Sequence, residues 1–489
     1  MSLSRVLSIG ALVAISTVLA TSSANSQQDP LENIRQNMHA SNISVLSYND
    51  LNGKGDGGES MAIQKKPDGS RILYIPHRGA QNCLSVVDVT HPEKPVVLNQ
   101  LPSPAPGNTR CDELGLSGNV LVVADQGSGS GPSVVNHILT PEVRQQGKSG
   151  MWVLDVSDLD RVKKAKSLQD IAFSFFNTGG PHSVGIHALW FIDGRFAHLA
   201  SGVPDDDPIY DQDDQMYVAV DLKDPRNPRE VGRWWLPGTQ KGDACLPGCK
   251  PKRLVNSYGG AFRPHEVLVP KDRPDRAYMG YLDGGVVILD ISGIEDVRAG
   301  RATKFTPKLV AQLKLNPPDI GFTHTAMPLV SRNLMVVNSE GDICSERGPR
   351  PMYLVDIREE TNPLIVGTFP YPTNTLELCK RPGAGTHNFA PSGLIENDVS
   401  FPLKDTVLAS NTKFGLRIYH LQDQHVPYPA KTPPLIEEVG YFLPPPAAKN
   451  NGEVNINYSI VDENGLIYVL DGKWGGLYII KYTGEIPLS

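Results

Sequence analysis

Val286-Val-Ile-Leu-Asp290-Ile-Ser292 is an apolar run that stops on an aspartate and leads into a turn, the pattern of a buried β-strand. The phrase recurs along the chain. It stands as Leu84-Ser-Val-Val-Asp88-Val, followed by Thr-His-Pro-Glu-Lys-Pro, and again as Met151-Trp-Val-Leu-Asp155-Val. Further copies are Met216-Tyr-Val-Ala-Val-Asp221-Leu and Met352-Tyr-Leu-Val-Asp356-Ile. Leu416-Arg-Ile-Tyr-His420-Leu and Leu477-Tyr-Ile-Ile-Lys481-Tyr are weaker copies in which the aspartate is replaced. Seven copies at a spacing of roughly 60–70 residues mean blades or a solenoid.

A hairpin precedes each phrase. In Val184-Gly-Ile-His187 to Gly202 an apolar run opens at His187, turns at Asp193-Gly194 and returns. His265–Pro270 with Arg276–Tyr281, and His324–Val330 with Asn333–Asn338, repeat the pattern. Two hairpins per repeat make four strands, the content of one propeller blade. The expected fold is therefore all-β, a seven-bladed β-propeller. Its last repeat runs out near Gly484, and Ile43–Tyr48 has no hairpin partner, so this N-terminal strand should complete the last blade and close the ring. Helical patterning is almost absent; Ser167–Phe176 reads as a short helix or the outer strand of the second blade.

Composition agrees. Forty-six glycines and 41 prolines in 489 residues suit short strands and turns, and 40% apolar residues suffice for a large core. A net charge of -7 with no basic cluster argues against a nucleic-acid partner. Arg5, the apolar run from Val6 to about Ala20 and the small residues to Ser26 form an export signal, with cleavage after Ala24 or Ser26. The expected organisation is a signal peptide over 1–26 and one propeller over 27–489, without a membrane span and periplasmic or secreted. Six cysteines fit an oxidising compartment. Cys245 and Cys249 can close a small loop; Cys83, Cys111, Cys344 and Cys379 remain, with the pairing open.

In a propeller the innermost strand of each blade starts at one face of the ring, lining the mouth of the central channel. Those starts read Met61, about Asp112, His187, His265, His324, His387 and Tyr458. Four consecutive blades each present one histidine to the axis, a set suited to holding one transition-metal ion: Fe or Cu by preference, Zn or Mn as alternatives. His77, His198 and the other histidines read as structural. Asp125, Glu340 and Asp342 stand at or beyond second-strand ends as carboxylate partners for the ligands, with Asp283 and Asp471 in similar places. Glu266 should point to the opposite strand face. Arg78, Lys413 and Lys473 offer positive charge to an anionic substrate, and Tyr458 a proton donor. Of these, Tyr458, Glu340, Arg78 and Lys413 are the candidate catalytic residues. The acidic loop from Pro204 to Asp214 is a solvated loop or a Ca²⁺ site, and the insertion from Gln126 to Gly150 a flexible lid. Nucleophile-elbow, phosphate-loop and dinucleotide motifs are missing.

The repeated phrase resembles the LVIVD-repeat family of β-propeller proteins, which implies fold rather than activity. The four-histidine arrangement, His187, His265, His324 and His387, looks like that of carotenoid-cleaving oxygenases, where iron activates O₂. Cys111-Asp-Glu-Leu-Gly-Leu-Ser-Gly118 is similar to a segment of the selenium-binding protein and methanethiol oxidase group, but lacks that segment's histidines. The resulting expectation is an exported metal-dependent oxidoreductase acting on a small organic molecule. A metal-dependent lyase or hydrolase is the competing enzyme class, and a scaffold for protein or carbohydrate the non-enzymatic one.

Overall fold

The structure is a computed structural model. It describes residues 29–489 apart from 80, 107–108, 128–133, 136–137, 140–148, 181, 210–212, 244–260, 316–321, 342, 345–349, 383–384, 392–402 and 424–433. Seven antiparallel sheets form a seven-bladed β-propeller. Blade one contains Ala62–Lys65, Arg71–Pro76, Asn82–Asp88 and Val96–Pro102, ordered from the axis outward, and the next blades repeat this meander.

The repeated phrase is the third strand of each blade, and its aspartate has a structural task. Asp88, Asp155, Asp221, Asp290 and Asp356 each accept the backbone N–H two residues on, at 2.9–3.0 Å. This Asx turn redirects the chain from the third strand to the outermost one. His420 and Lys481 cannot accept such a bond with a carboxylate, which accounts for the weaker look of the last two copies. Behind the turns, side chains of neighbouring sheets interdigitate in the apolar core, with Leu84, Val86, Val287 and Leu354 fully buried.

The ring closes as expected. Ile43–Asn49 pairs antiparallel with Gly476–Tyr482 and supplies the outermost strand of blade seven. A further N-terminal strand, His39–Ser41, joins Leu435–Leu443 as a fifth strand of blade six, so the N-terminal segment ties two blades together. A helix, Pro30–Asn37, precedes it, started by Asp29, whose carboxylate accepts the Leu31 N–H, and by Pro30 in the first turn. Ser167–Phe176, read as a short helix or an outer strand, contains a 3₁₀ turn over Leu168–Ile171 and then most of the outer strand Ala172–Asn177 of blade two.

Disulfides join Cys83 to Cys111, bridging blades one and two, and Cys344 to Cys379. Cys245, Cys249, the export signal and Asp342 lie outside the described residues. So does most of the expected lid; within it Val134–Val135 and Ile138–Leu139 form a two-stranded pair. In the acidic loop, Asp205 pairs with Arg233, Asp207 with Lys241 and Asp214 with Arg263, while Asp213 accepts the Phe262 N–H. These carboxylates serve neighbouring cations and backbone, and Asp206, Asp213 and Asp214 are buried, so the loop is packed down rather than freely solvated. Among the described residues no helix is long and apolar enough to cross a membrane.

Candidate metal centre

The histidines reach the axis because the innermost strands are irregular at the mouth. Strand pairing skips one residue between Ile186 and Ala188 and between Thr323 and Thr325, leaving His187 and His324 as bulge residues turned inward. His265 and His387 come just before the two-residue strands' region, ahead of Val267–Leu268 and Asn388–Phe389. In blade seven the skipped residue is Asn457, between Ile456 and Tyr458. Tyr458, expected at the histidine position, is not there: Asn457 takes it, and Tyr458 stands one residue deeper and lines the axial cavity. In blade one Glu59, not Met61, reaches the histidine level. At the mouth the seven blades thus contribute Glu59, Asp112, His187, His265, His324, His387 and Asn457.

Two glycines make room for this. A Cβ on Gly58 would stand 2.2 Å from the Asp112 carbonyl oxygen, which instead accepts the Glu59 N–H at 2.7 Å. A Cβ on Gly280 would stand 1.9 Å from the His324 carbonyl oxygen, while the Gly280 carbonyl accepts the His265 N–H at 2.7 Å. Only residues without a side chain allow adjacent blades to approach so closely here.

The four imidazoles and Glu59 are buried and face one another. His187 Nε2 lies 2.9 Å from His265 Nε2. Glu59 places Oε2 3.6 Å from His324 Nε2 and Oε1 3.5 Å from His387 Nε2, and Glu340 Oε2 is 3.8 Å from His265 Nε2. Donors bound about 2.1 Å from one ion stand about 3.0–3.4 Å apart at octahedral or tetrahedral angles. The observed spacings bracket that range. Glu59, His187 and His265 bring donor atoms within 4.8 Å of one another, as do Glu59, His324 and His387, and His265, His324 and Glu340. Buried Glu59 Oε2 and His324 Nε2 have no hydrogen-bond partner, which a ligated cation would supply.

Three of the four outer ring nitrogens are held, and buried His265 Nδ1 has no hydrogen-bond partner. Gln126 Oε1 accepts from His187 Nδ1 at 3.0 Å and is itself fixed by Arg110 at 3.1 Å. The Asn457 carbonyl accepts from His387 Nδ1 at 3.2 Å. Thr325 Oγ1 donates to Asn388 Oδ1 at 3.2 Å, so it accepts from His324 Nδ1 at 2.7 Å. With their protons on Nδ1, His187 and His324 turn Nε2 lone pairs to the axis. Burial holds His187 and His265 well below the ordinary imidazole range and lowers His324, keeping them neutral. Burial opposes charge on His387 too, but the Glu59 carboxylate overrides it and raises His387. Burial would raise Glu59; Arg78 and His387 outweigh it and hold this carboxyl well below its usual range.

Arg78, expected as a substrate-binding cation, is engaged within the cluster: it donates to Glu59 at 2.8 Å, approaches Asp112 at 3.4 Å and reaches Asn457 Oδ1 at 3.2 Å. Glu340 does join the site, half-buried at the mouth. Lys413 is directed elsewhere, its Nζ donating to the Arg381 carbonyl at 3.3 Å and lying over the Phe414 ring. Lys473 pairs with Glu453. Asp125 is buried beside Trp152 Nε1, at 3.2 Å, and burial pushes it up to about 7; the next residue, Gln126, makes the contact with the histidine. Asp471 shapes a turn, accepting the Lys473 N–H at 2.6 Å. Glu266 corrects a strand-alternation argument: with so short a strand after it, it faces the axis like His265 and meets Glu113, within 4.8 Å of Glu59.

His77 is structural, as expected, although its geometry imitates a catalytic triad. Nδ1 meets Asp56 at 2.8 Å and Nε2 meets Ser85 Oγ at 2.7 Å. Ser85 is fully buried and takes a further bond from Gln100, leaving no approach for a substrate.

No family model and no curated protein matches the chain, so the resemblance to LVIVD-repeat proteins has no family match beside it. Similar solved structures include the WD40 β-propeller domain of Doa1, at 8% identity and a TM-score of 0.47, covering 90% of this chain and 96% of that one. The β-propeller domain of Myceliophteria thermophila Cps50 (Swd1) has 13% identity and a TM-score of 0.45, covering 87% and 96%. A putative 6-phosphogluconolactonase from Bacteroides uniformis has 11% identity and a TM-score of 0.43, covering 78% and 87%. The blade count rests on the strand pairing of this chain.

Proposed function

We propose that the protein is a metal-dependent oxidoreductase whose single transition-metal ion is held by His187, His265, His324, His387 and Glu59. The observation that carries this is the convergence of four buried imidazoles on one carboxylate, with the Glu59 and His324 donor atoms facing each other unpartnered. His77, buried beside a carboxylate at the same mouth, has both ring nitrogens hydrogen-bonded. Imidazole with one carboxylate suits iron somewhat better than copper and is compatible with zinc or manganese. When bound, such an ion supplies a redox-active Lewis acid for a small organic substrate.

The chain's own residues have definite parts. Arg78 keeps Glu59 ionised and aimed at the rings. Gln126, Thr325 and the Asn457 carbonyl fix ring orientation and tautomer. Glu340 stands at the mouth within reach of His265, placed to take or return a proton there. Two disulfides agree with an exported protein.

The test is metal analysis of protein purified without added metal, followed by O₂ uptake with reducing organic substrates. About one equivalent of iron or copper is expected. Zinc alone would move the reading to a Lewis-acid lyase or hydrolase. Metal below about a tenth of an equivalent, with no uptake by the apo form, would leave the fold as a binding scaffold.

A further inference from the structure

Beyond the histidines the axis continues into a cavity of about 70 Å³ with two unlike ends. Its inner end carries Glu59, Glu113, Glu266 and Tyr458; its walls include Trp190, Phe191, Leu268 and Phe389. No lysine, arginine or histidine lines it among the described residues. Glu59 has its counter-charge in Arg78, on the mouth side. Glu113 receives one backbone N–H, from Leu189 at 2.5 Å, and otherwise meets Glu266. Two buried carboxyls are thus pressed together with no cation between them, an arrangement that a positively charged ligand would relieve.

A second observation points to a ligand. Tyr458 is only 8% exposed and faces this cavity, yet its hydroxyl has no hydrogen-bond partner among the described residues. Glu59, Glu113 and Glu266 offer oxygens within 4.8 Å of one another, close enough for one small group to touch more than one of them.

We propose that the axial cavity binds a small primary amine, with its ammonium group between Glu113, Glu266 and Tyr458 and its short apolar tail along Trp190, Phe191 and Phe389. An ammonium group has three N–H donors, and the inner end presents three acceptor side chains for them. The aromatic walls suit the tail and favour a nearby cation. An anionic molecule would face three carboxylates. A divalent ion on Glu59, Glu113 and Glu266 is the competing occupant, which the metal content of the double variant below distinguishes. The proposal names the substrate class of the centre described above and rests on that reading for its chemistry, though not for binding itself.

Calorimetry with ethylamine, ethanol and acetate, on the protein with its metal and after stripping, tests it. Ethylamine should bind about tenfold or more tighter than ethanol, with acetate weakest, in both forms. Glu113→Gln with Glu266→Gln should remove the preference for the amine while metal content stays unchanged. Equal binding of amine and alcohol, or no binding of ethylamine, overturns the proposal on the native chain, without any variant. Loss of metal from the double variant would also overturn it, since the carboxylates would then be holding the ion. A chain that carries no metal but still selects ethylamine would refute the metal centre and leave the amine site standing.

Discussion

His77 and His324 are both fully buried, both near the mouth of the ring, and both beside carboxylates, yet they are built for different ends. His77 has each ring nitrogen matched, to Asp56 at 2.8 Å and Ser85 at 2.7 Å. His324 has Nδ1 matched by Thr325 at 2.7 Å and Nε2 left open, 3.6 Å from an equally open Glu59 oxygen. Burying a polar atom without a partner costs about 1–3 kcal/mol, so a set of such atoms persists where something else satisfies it. Between these two histidines, partner accounting, rather than burial or proximity to acid, makes the difference.

The sharpest way to break that distinction is a crossed pair of variants. His265→Ala with His324→Ala should drop bound metal from about one equivalent to less than about a tenth, while the fold persists, because the blade cores lie elsewhere. Retention of stoichiometric metal, by elemental analysis after dialysis, would refute the ligand assignment. His77→Ala should do the reverse. It leaves Asp56 and Ser85 buried without their partner and should cost about 3 kcal/mol in denaturant unfolding, with metal content unchanged. Loss of metal in that variant would mean that blade one's triad supports the centre rather than the sheet.

A third histidine sharpens the structural side. His198 accepts from or donates to Tyr217 Oη at 2.8 Å, and burial holds its pKa down at about 4 against an ordinary 6.5. Between those values the unfolded chain takes up a proton that the folded one refuses. Stability is therefore intact above pH 6.5 and falls as the pH drops toward 4, by about 2–3 kcal/mol at pH 4.5 from this group. His198→Gln should flatten the difference in unfolding free energy between pH 7 and pH 4.5. An unchanged difference would place the acid sensitivity on other groups.

The same comparison explains what could be read before any coordinates. The strand phrase, its period and the closing strand at Ile43–Asn49 were legible because each depends on local alternation and turn chemistry. The four histidines were legible because equivalent places in successive repeats expose a shared position. Glu59 was not, since it stands in the irregular stretch before Ala62, where no alternation assigns a face; the pair Gly57-Gly58 before it was the one available sign of a close approach. Tyr458 was misplaced by one residue and Glu266 by one face for a common reason: bulges and very short strands at the mouth cancel the period-two rule. Lys413 failed differently. Its position at a strand end is as expected, but a long flexible side chain can find a carbonyl elsewhere, here that of Arg381.

The smallest effect tests whether the most conspicuous sequence signal has any part in chemistry. Asp290 accepts the Ser292 N–H at 2.9 Å and lies 3.5 Å from Arg276, with its carboxylate outside the core. Asp290→Ala should cost about 1 kcal/mol through the lost Asx turn, and Asp290→Asn, which keeps the accepting oxygen, much less. Asp155 makes the same turn in a different blade, so the two alanine substitutions together should add to about 2 kcal/mol. Metal content should not move in any of the three. If Asp290→Asn proved as costly as alanine, the carboxylate charge and its approach to Arg276 would matter more than the turn. A residue repeated five times would then be recording blade-to-strand electrostatics rather than chain direction.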